Sequence, residues 1–184
     1  MILFTRRLQL REFDKDDWPA VLAYQSNPLY LRYYEQSERK PEEVRQFVQM
    51  FLSQQQEEPR LKYQLAMIHA ETGQLIGNCG IRKQTPDADK ADIGYELSPE
   101  FWGGGYAIEA ASALVQFGFD QLGLHRIWSW CIADNLASAR VLEKLGMRRE
   151  GRLRENEYFK GRWWDTLLYG MLEHEWQARR KPKP

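Results

Sequence analysis

The chain has 184 residues, enough for one domain with a hydrophobic core. Its 26 basic and 26 acidic residues leave a formal net charge of zero, so charge gives the chain no general attraction for nucleic acid or an anionic membrane. The apolar start ends after four residues, at Arg6 and Arg7, and no apolar run reaches about 18 residues, so the sequence predicts neither a signal peptide nor a membrane span. We expect a soluble, cytoplasmic protein, either a monomer or a homodimer.

Hydrophobic periodicity predicts a mixed order of strands and helices without internal repeats. The first half of the chain is predicted to contain a strand at residues 3–11, a helix at 16–25, a helix from residue 41, and strands at 64–69 and 74–81. Asp14 is the expected N-cap of the first helix, and the pair Asn27-Pro28 is expected to end it. The turn between the two later strands predicts a hairpin.

The second half is predicted to alternate strands and helices more regularly. The predicted elements are a strand at 91–97, a helix at 106–122, a strand at 127–133, a helix at 136–145 and a pair of strands within 157–172. Gly146 is the expected left-handed stop of the last helix. One domain is expected to span residues 1–177, followed by a basic, disordered tail at 178–184.

The two cysteines, Cys79 and Cys131, both lie in apolar segments that are predicted to be strands. A reduced, buried thiol acts there as a small hydrophobic group, and a metal site would need more ligands nearby. The sequence therefore predicts no metal site.

Three consecutive glycines, Gly103 to Gly105, stand between a predicted strand and a predicted helix. Glycine lets the backbone approach a ligand closely, and a helix start offers unpaired N–H groups to a phosphate. A flexible turn that binds nothing is the alternative. A P-loop would need lysine and a hydroxyl residue where the chain has Tyr106 and Ala107, and the glycine spacing of a dinucleotide-binding turn is also missing.

The stretch from Trp102 to Ala107 resembles the Gln/Arg-x-x-Gly-x-Gly/Ala loop of the GCN5-related N-acetyltransferases (GNAT), which bind acetyl-CoA. Gly105 and Ala107 match the last two fixed positions, and Trp102 at the first is similar to the branch that contains the ribosomal-protein N-terminal acetyltransferases. Residues 5–11, 92–97 and 135–147 are similar to other segments of that branch. The resemblance implies a single-domain α/β (α+β) fold, in which a mixed central sheet has a splayed strand pair and flanking helices.

The resemblance also implies how acetyl-CoA would bind. The loop N–H groups would hold the pyrophosphate, and the pantetheine arm would lie between the strand ending at Leu97 and the strand starting at Ile127. Asn135 matches the asparagine that holds this arm, although an N-cap of the next helix is the alternative. The implied cofactor-binding residues are Leu97, Trp102, Gly103, Gly104, Gly105, Tyr106, Ala107, Asn135 and Ser138. The family's β-bulge, near Glu96 and Leu97, would free one amide to act as oxyanion donor.

The chain departs from the family at both usual proton-transfer positions. Trp130 replaces the strand glutamate, and Leu142 replaces the tyrosine that protonates the thiolate. The corresponding candidates of the ribosomal-protein branch align with Ser138, near the thioester sulfur, and Glu157, as the base. Glu96 is a third carboxylate near the cofactor path. A capping serine and a solvated surface charge are the alternatives for Ser138 and Glu157.

The pKa of an amine sets the free energy needed to deprotonate it, and this cost differs between the possible acceptors. Deprotonating a lysine at pH 7 costs about 4.6 kcal/mol, whereas an α-amine with a pKa near 8 costs about 1.4 kcal/mol. A site without the usual acid and base suits the easier amine, which favours a protein or peptide N-terminus. Tyr30, Tyr33 and Tyr34 are expected to border the acceptor, or else to pack a loop onto the core, and the same two alternatives apply to residues 163–165.

Two other functions remain open from the sequence. The first is a small-molecule amine acetyltransferase for a polyamine, an amino-acid derivative or an antibiotic. Polyamines are disfavoured because residues 27–40 hold two acidic residues against three basic ones. The second is an acyl-CoA-binding module without turnover, which only the missing tyrosine and strand glutamate support.

Overall fold

A computed structural model describes residues 1–180 of the chain. Its eight strands are β1 (Ile2–Phe4), β2 (Leu8–Glu12), β3 (Lys62–His69), β4 (Leu75–Lys83), β5 (Lys90–Leu97), β6 (Arg126–Ile132), β7 (Arg148–Phe159) and β8 (Arg162–Leu172). Its helices are α1 (Trp18–Gln25), α2 (Pro28–Leu31), α3 (Pro41–Gln55), α4 (Tyr106–Asp120), α5 (Leu136–Leu145) and α6 (Glu173–Arg180). The strands form one sheet in the order β1-β2-β3-β4-β5-β6-β8-β7.

Only β5 and β6 are parallel in this sheet, and they pair over a short stretch. Their register joins Lys90–Asp92 to Arg126–Trp128 and then stops, while β5 continues along β4 and β6 continues along β8. The two halves of the sheet therefore diverge beyond Asp92 and Trp128. This geometry confirms the predicted mixed sheet with a splayed strand pair.

Helices cover both faces of the sheet. On one face, α4 and α5 pack over a core that includes Leu114, Leu142 and Tyr169. On the other face, α1, α2 and α3 pack over a second core that includes Val21 and Val48. Apolar residues at helical spacing give α3 an apolar stripe, and this stripe is buried against the sheet.

The predicted first strand at residues 3–11 is wrong, because this segment forms two strands. β1 and β2 pair antiparallel, and a turn at residues 5–7 separates them, with Thr5 N–H donating to Leu8 O at 2.9 Å. The side chain of Thr5 and the amide of Arg7 both donate to Glu109 of α4, at 2.6 and 2.7 Å. The chain reverses there because the turn is anchored to a helix distant in sequence.

The predicted start of the final strand pair, near residue 157, is also wrong, because β7 begins at Arg148. β7 is an edge strand, and most of its first ten residues are exposed. Its register is shifted between Arg149 and Gly151 and again between Leu153 and Glu157. An exposed and irregular strand lacks the apolar alternation that identifies a buried strand.

The C-terminal helix α6 includes the first part of the expected tail. Residues 178–180 form its last turn, and Arg180 pairs with Asp120 of α4 at 2.9 Å. The expectation of a disordered tail from residue 178 is corrected to this extent, and residues 181–184 lie outside the described residues.

Both cysteines are buried and free, as the strand assignments predicted. Burial raises the pKa of Cys79 above its usual range and that of Cys131 to about 11. Within residues 1–180, no helix is both long and apolar enough to cross a bilayer. The same residues contain no group of three or more His, Cys, Asp or Glu side chains placed to hold a metal ion.

Candidate active site

The glycine loop leads directly into α4. Gly103 and Gly105 have φ values of 78° and 81°, in the left-handed region that glycine adopts without strain. Gly105 is the N-cap of α4 and carries no capping side chain, so no side chain of the loop occupies the first amides of the helix. The backbone conformation of this loop leaves the helix start open to an anion.

Arg7 and Trp102 hold the loop in place. The indole Nε1–H of Trp102 donates to Leu97 O at 2.9 Å, and Arg7 Nη1 donates to Gly104 O at 2.8 Å. The Arg7 guanidinium also stacks 4.2 Å from the centre of the Tyr106 ring. It therefore fixes the loop and places a positive charge beside it.

Glu109 completes the anchor of Arg7. Arg7 Nε donates to Glu109 Oε2 at 2.8 Å, and Thr5 donates to the other oxygen. Burial alone would raise the pKa of Glu109, but hydrogen bonds from Thr5 and Arg7 outweigh it, so the pKa is lowered. The ionised carboxylate thus ties the β1–β2 turn to the first turn of α4.

A cleft of ≈ 370 Å³ occupies the space where β5 and β6 diverge. It is lined from β5 by residues 93–96, from β6 by residues 129–132, and from α3 by aromatic and polar side chains. Five of the sequence-predicted site residues line it, namely Tyr33, Tyr34, Glu96, Asn135 and Ser138. The splayed strands therefore bring together residues from distant parts of the chain.

The backbone N–H groups of successive residues in β5 point alternately toward β4 and away from it. Ser98 N–H donates to Ile76 O at 2.7 Å, which extends the β4–β5 ladder. Because bonded and non-bonded pairs alternate in an antiparallel ladder, the amide of Leu97 faces away from β4. The β-bulge expected near Glu96 and Leu97 is wrong, since the ladder that joins residues 77–83 to residues 91–97 keeps one register, and alternation alone turns the Leu97 amide away from β4.

Asn135 acts as the N-cap of α5. Its Oδ1 accepts a hydrogen bond from Ser138 N at 3.2 Å, which is the capping alternative raised by the sequence. Within residues 1–180, no hydrogen bond engages its Nδ2, and Asn135 also lines the cleft. The two roles are therefore geometrically compatible.

Tyr95 reaches from β5 to Ser138 and was not identified as a site residue from the sequence. Its hydroxyl donates to Ser138 O at 3.1 Å and lies 3.0 Å from Ser138 Oγ. Burial raises the pKa of Tyr95, against a hydrogen bond with Ser138 that would lower it. The protonated phenol and the serine hydroxyl thus form a hydrogen-bonded pair at the edge of the cleft.

Glu96 is held by three donors at one oxygen. Its Oε2 accepts from Tyr24 Oη at 3.1 Å, from Gln25 Nε2 at 2.9 Å and from Asn78 Nδ2 at 2.7 Å. Burial, and then the charge of Glu96, raise the pKa of Tyr24 well above its usual value, so its phenol remains a donor. The carboxylate is thereby fixed at the cleft wall by α1 and β4.

Glu157 lies on the edge strand β7, opposite Trp164 of β8. Its Oε1 accepts a hydrogen bond from the neighbouring Asn156 at 2.9 Å, and it does not line the cleft. The structure therefore brings Glu96 and Ser138 to the cleft and leaves Glu157 apart from them.

The three tyrosines divide between core and cleft. Tyr30 is 7% exposed and stacks on Tyr34 at 4.7 Å, which is the core-packing alternative. Tyr34 is 37% exposed and lines the cleft. Tyr33 also lines it, and its hydroxyl donates to Asp134 O at 2.9 Å, which connects the segment after α2 to the end of β6.

Residues 163–165 divide in a similar way. Trp164 is buried and packs edge-on against Tyr33 at 5.9 Å, so it supports the cleft wall from behind. Trp163 is 55% exposed, and Asp165 pairs with Arg152. Only Trp164 of the three packs against a cleft residue.

The family comparison agrees with this architecture. The family model described as "Acetyltransferase (GNAT) domain" matches residues 7–148. "Uncharacterized N-acetyltransferase YnaD" of Bacillus subtilis (strain 168) is 34% identical over 176 residues, which cover 96% of this chain and 99% of the relative. The match thus extends over nearly the whole of both chains.

Solved structures share the fold. An acetyltransferase (GNAT family) from Bacillus anthracis superposes with a TM-score of 0.83 and 32% identity, covering 95% of this chain and 100% of that one. RimL, a ribosomal L7/L12 alpha-N-protein acetyltransferase in complex with coenzyme A, has a TM-score of 0.82 and 23% identity, with 95% and 99% coverage.

A polyamine enzyme shares the fold as well. Spermidine N-acetyltransferase from Vibrio cholerae, in complex with CoA and spermine, has a TM-score of 0.79 and 20% identity, covering 93% of this chain and 98% of that one. At such identities the last two likenesses show the fold alone. The family match and the relative at 34% identity carry the assignment: the chain belongs to the GNAT family of N-acetyltransferases.

Proposed function

We propose that this protein transfers an acetyl group from acetyl-CoA directly to a primary amine, and that the amine is a protein or peptide N-terminus. The observation that carries the proposal is the cleft, which lies between the diverging strands β5 and β6 and brings Glu96, Ser138 and Asn135 together. When bound there, acetyl-CoA supplies an acyl thioester that an amine can attack.

The described residues fit the chemistry of acetyl-CoA in three places. The open start of α4, with Arg7 beside it, suits a pyrophosphate. The edge of β5 that faces the cleft offers backbone groups to the amides of a pantetheine arm. Asn135 and Ser138 border the same cleft from α5. Residues 97, 102–107, 135 and 138 are therefore retained as the proposed cofactor site.

Glu96 is the proposed proton acceptor for the amine. It lines the cleft, and its neighbours hold it in one orientation, whereas Glu157 lies outside the cleft and is kept as the second candidate. On the opposite side, the Ser138 hydroxyl, positioned by Tyr95, is the proposed proton donor to the leaving thiolate. The amide of Leu97 is the proposed oxyanion donor.

The assignment of an α-amine as the acceptor rests on the pKa of that amine and on the residues that line the cleft. A carboxylate held by hydrogen bonds suits an amine that loses its proton easily, as an α-amine does. Tyr33 and Tyr34 would border the peptide, and Tyr30 would support them from the core. Among proteins of this fold, RimL is named for a protein α-amine, whereas the Vibrio cholerae enzyme is named for spermidine, so a small-molecule amine is the second candidate.

The domain expected at residues 1–177, extended to residue 180 by the last turn of α6, is proposed to be the catalytic domain of a cytoplasmic monomer or homodimer. The balanced charge of the chain is consistent with the absence of a nucleic-acid or membrane partner. The two buried, free thiols are compatible with a reducing compartment.

A competition assay tests the proposal. Two peptides that differ only in whether the free amine is an N-terminus or a lysine side chain are mixed with acetyl-CoA at about pH 7, and mass spectrometry locates the acetyl group. We expect the N-terminal amine to react faster, by up to roughly two hundredfold if amine pKa dominates, and the preference to narrow as pH rises. A lysine preference at neutral pH, or acetylation of small amines alone, would contradict the N-terminal assignment.

A further inference from the structure

The sheet face beneath α3 contains a hollow made by two glycines. Gly80 of β4 and Gly94 of β5 are paired in the ladder, and Gln64 of β3 is paired with Gly80. A Cβ atom on Gly80 would overlap the Gln64 amide, and one on Gly94 would lie 2.9 Å from Arg82 Nη2. The side chains of Gln64 and Arg82 therefore lie flat over positions where other residues would project.

Polar groups surround this hollow although it lies under a helix. Gln64 is 5% exposed and Asn78 is 2% exposed, and Gln64 Nε2 donates to Asn78 Oδ1 at 2.6 Å. Buried polar side chains are costly unless hydrogen bonds or a ligand satisfy them. The hollow is part of the cleft that contains Glu96, so a ligand that enters the cleft can reach it.

Arg82 has a donor available on the cleft side. Its Nε donates to Asp92 Oδ2 at 2.7 Å, and its Nη2 contacts the same oxygen. Among the residues that the structure describes, its Nη1 makes only a long contact of 3.4 Å, with Gln64 Oε1. Arg82 lines the cleft, so this weakly engaged N–H group can bind an oxygen of a ligand.

The distance between Arg82 and Glu96 suits a short acceptor. The guanidinium of Arg82 lies over Gly94, and Gly94 is two residues from Glu96 on the same face of β5, which is about 6.7 Å along the strand. In an α-amino acid residue, three bonds separate the amine nitrogen from the carbonyl oxygen. An amine near Glu96 therefore places that oxygen within reach of Arg82.

On the basis of the proposed acetyl transfer, we propose that Arg82, supported by Gln64, binds the carbonyl or carboxylate oxygen adjacent to the acceptor's amine. The acceptor class is then the α-aminoacyl group, found in amino acids and at peptide N-termini, and not amines without that oxygen, such as polyamines. Phe47, Met50 and Phe51 of α3 also line the cleft, and they suit an apolar side chain on the acceptor.

The test compares two acceptors, L-phenylalaninamide and phenethylamine, which differ only in the carboxamide. The ratio of their kcat/KM values is measured for the wild type and for Arg82→Gln. Because the different amine pKa values affect both proteins equally, they cancel in the change of this ratio. The ratio is written as kcat/KM for L-phenylalaninamide divided by kcat/KM for phenethylamine. We expect Arg82→Gln to lower this ratio about tenfold or more.

Asp92→Asn is the matched control, because it breaks the same ion pair and keeps the guanidinium. We expect this variant to change the ratio by less than about threefold. Gln64→Glu is a second variant, which places a carboxylate in the hollow and is expected to lower the ratio as well. Thermal unfolding establishes that each variant is folded, and free L-phenylalanine and a phenylalanyl dipeptide distinguish a carboxylate from a peptide carbonyl.

The outcomes separate this inference from the proposed function. Transfer to both acceptors with an unchanged ratio in Arg82→Gln and Gln64→Glu would overturn the oxygen-binding role and leave acetyl transfer intact. An equal change of the ratio in Asp92→Asn and Arg82→Gln would show that the ion pair is structural, and would also overturn it. Absence of thiol release with every amine would overturn both.

Discussion

Glu96 and Glu157 differ in their surroundings more than in their chemistry. Glu96 accepts three hydrogen bonds from Tyr24, Gln25 and Asn78 at the cleft wall, whereas Glu157 accepts one, from Asn156, on the edge strand. A proton acceptor must lie within hydrogen-bond reach of the amine, directly or through one water. Location in the cleft is therefore the reason that Glu96, and not Glu157, is the proposed proton acceptor.

Glu96→Gln should lower kcat/KM by about 10²-fold or more near neutral pH, because it keeps the size of the side chain and removes the proton acceptor. Acetyl-CoA affinity, measured by calorimetry, should stay within a few-fold. Glu157→Gln is the matched control and should remain within about threefold of the wild type. The reverse result would make Glu157 the base.

Tyr95→Phe should lower kcat about tenfold and leave the KM for acetyl-CoA within about threefold, because it removes the hydroxyl that positions Ser138. Ser138→Ala should have an effect at least as large. Steady-state kinetics across a pH series provides the measurement. If Tyr95→Phe changes stability alone and leaves the pH profile unaltered, the hydroxyl has only a structural role.

At the scale of elements, the glycine loop and the β1–β2 turn depend on each other. Arg7 donates to Gly104 of the loop and to Glu109 of α4, so the N-terminal hairpin holds the loop from outside. The loop conformation itself depends on Gly103 and Gly105, whose φ values favour glycine.

Gly105→Val should weaken acetyl-CoA binding by well over tenfold in calorimetry, because a β-branched residue disfavours φ of 81° and adds bulk at the start of α4. Gly123→Val is the matched control, since it introduces similar strain (φ of 61°) in open space after the opposite end of α4. Unchanged affinity in a folded Gly105→Val protein would contradict the assignment of the loop.

Glu109→Gln should destabilise the protein by about 1 kcal/mol near pH 7, because it removes the charge that pairs with Arg7. The folded-state pKa of Glu109 is lowered, so its contribution is complete above the unfolded-state pKa and is lost as pH falls through the folded-state pKa. The difference in the free energy of unfolding between the wild type and the variant, measured by urea denaturation, should therefore narrow below about pH 4.5. A gap that stays constant down to pH 3 would exclude this linkage.

Capping residues in the sequence predicted where some helices begin and end. Gly146, with φ of 90°, ends α5 as expected, and Asn135 caps its start. The residues that the sequence did not identify, such as Arg7, Tyr95 and Arg82, reach the site through sheet topology. Arg7 is 97 positions from its partner Gly104, and no local pattern encodes such a contact.

At the scale of the whole molecule, the two halves of the sheet are joined directly by only three register pairs between β5 and β6. A ligand in the cleft would contact both halves at once. Binding to the folded state alone stabilises it by RT ln(1 + [L]/Kd), which is about 2.7 kcal/mol at a hundredfold excess over Kd.

Coenzyme A at about a hundred times its Kd should therefore raise the midpoint of thermal unfolding by roughly 5–10 °C for a chain of this length. Differential scanning calorimetry provides the measurement, and Gly105→Val at the same ligand concentration is the control. An equal shift in that variant would place the stabilising contact away from the glycine loop.

The alternation of side chains along β5 affects how the acceptor preference of this enzyme can change in evolution. Its even-numbered residues Asp92, Gly94 and Glu96 face the hollow under α3, and its odd-numbered neighbours Tyr95 and Leu97 face the core under α4 and α5. One strand thus carries two sets of side chains in alternation, with Glu96 in the first set and Tyr95 in the second. A methyl group added at Gly94 would lie 2.9 Å from Arg82 Nη2 and would displace that guanidinium, whereas Tyr95 points the other way and would keep its contact with Ser138. Acceptor preference can therefore change by single steps on one face of β5 while the Tyr95–Ser138 pair on the other face stays intact.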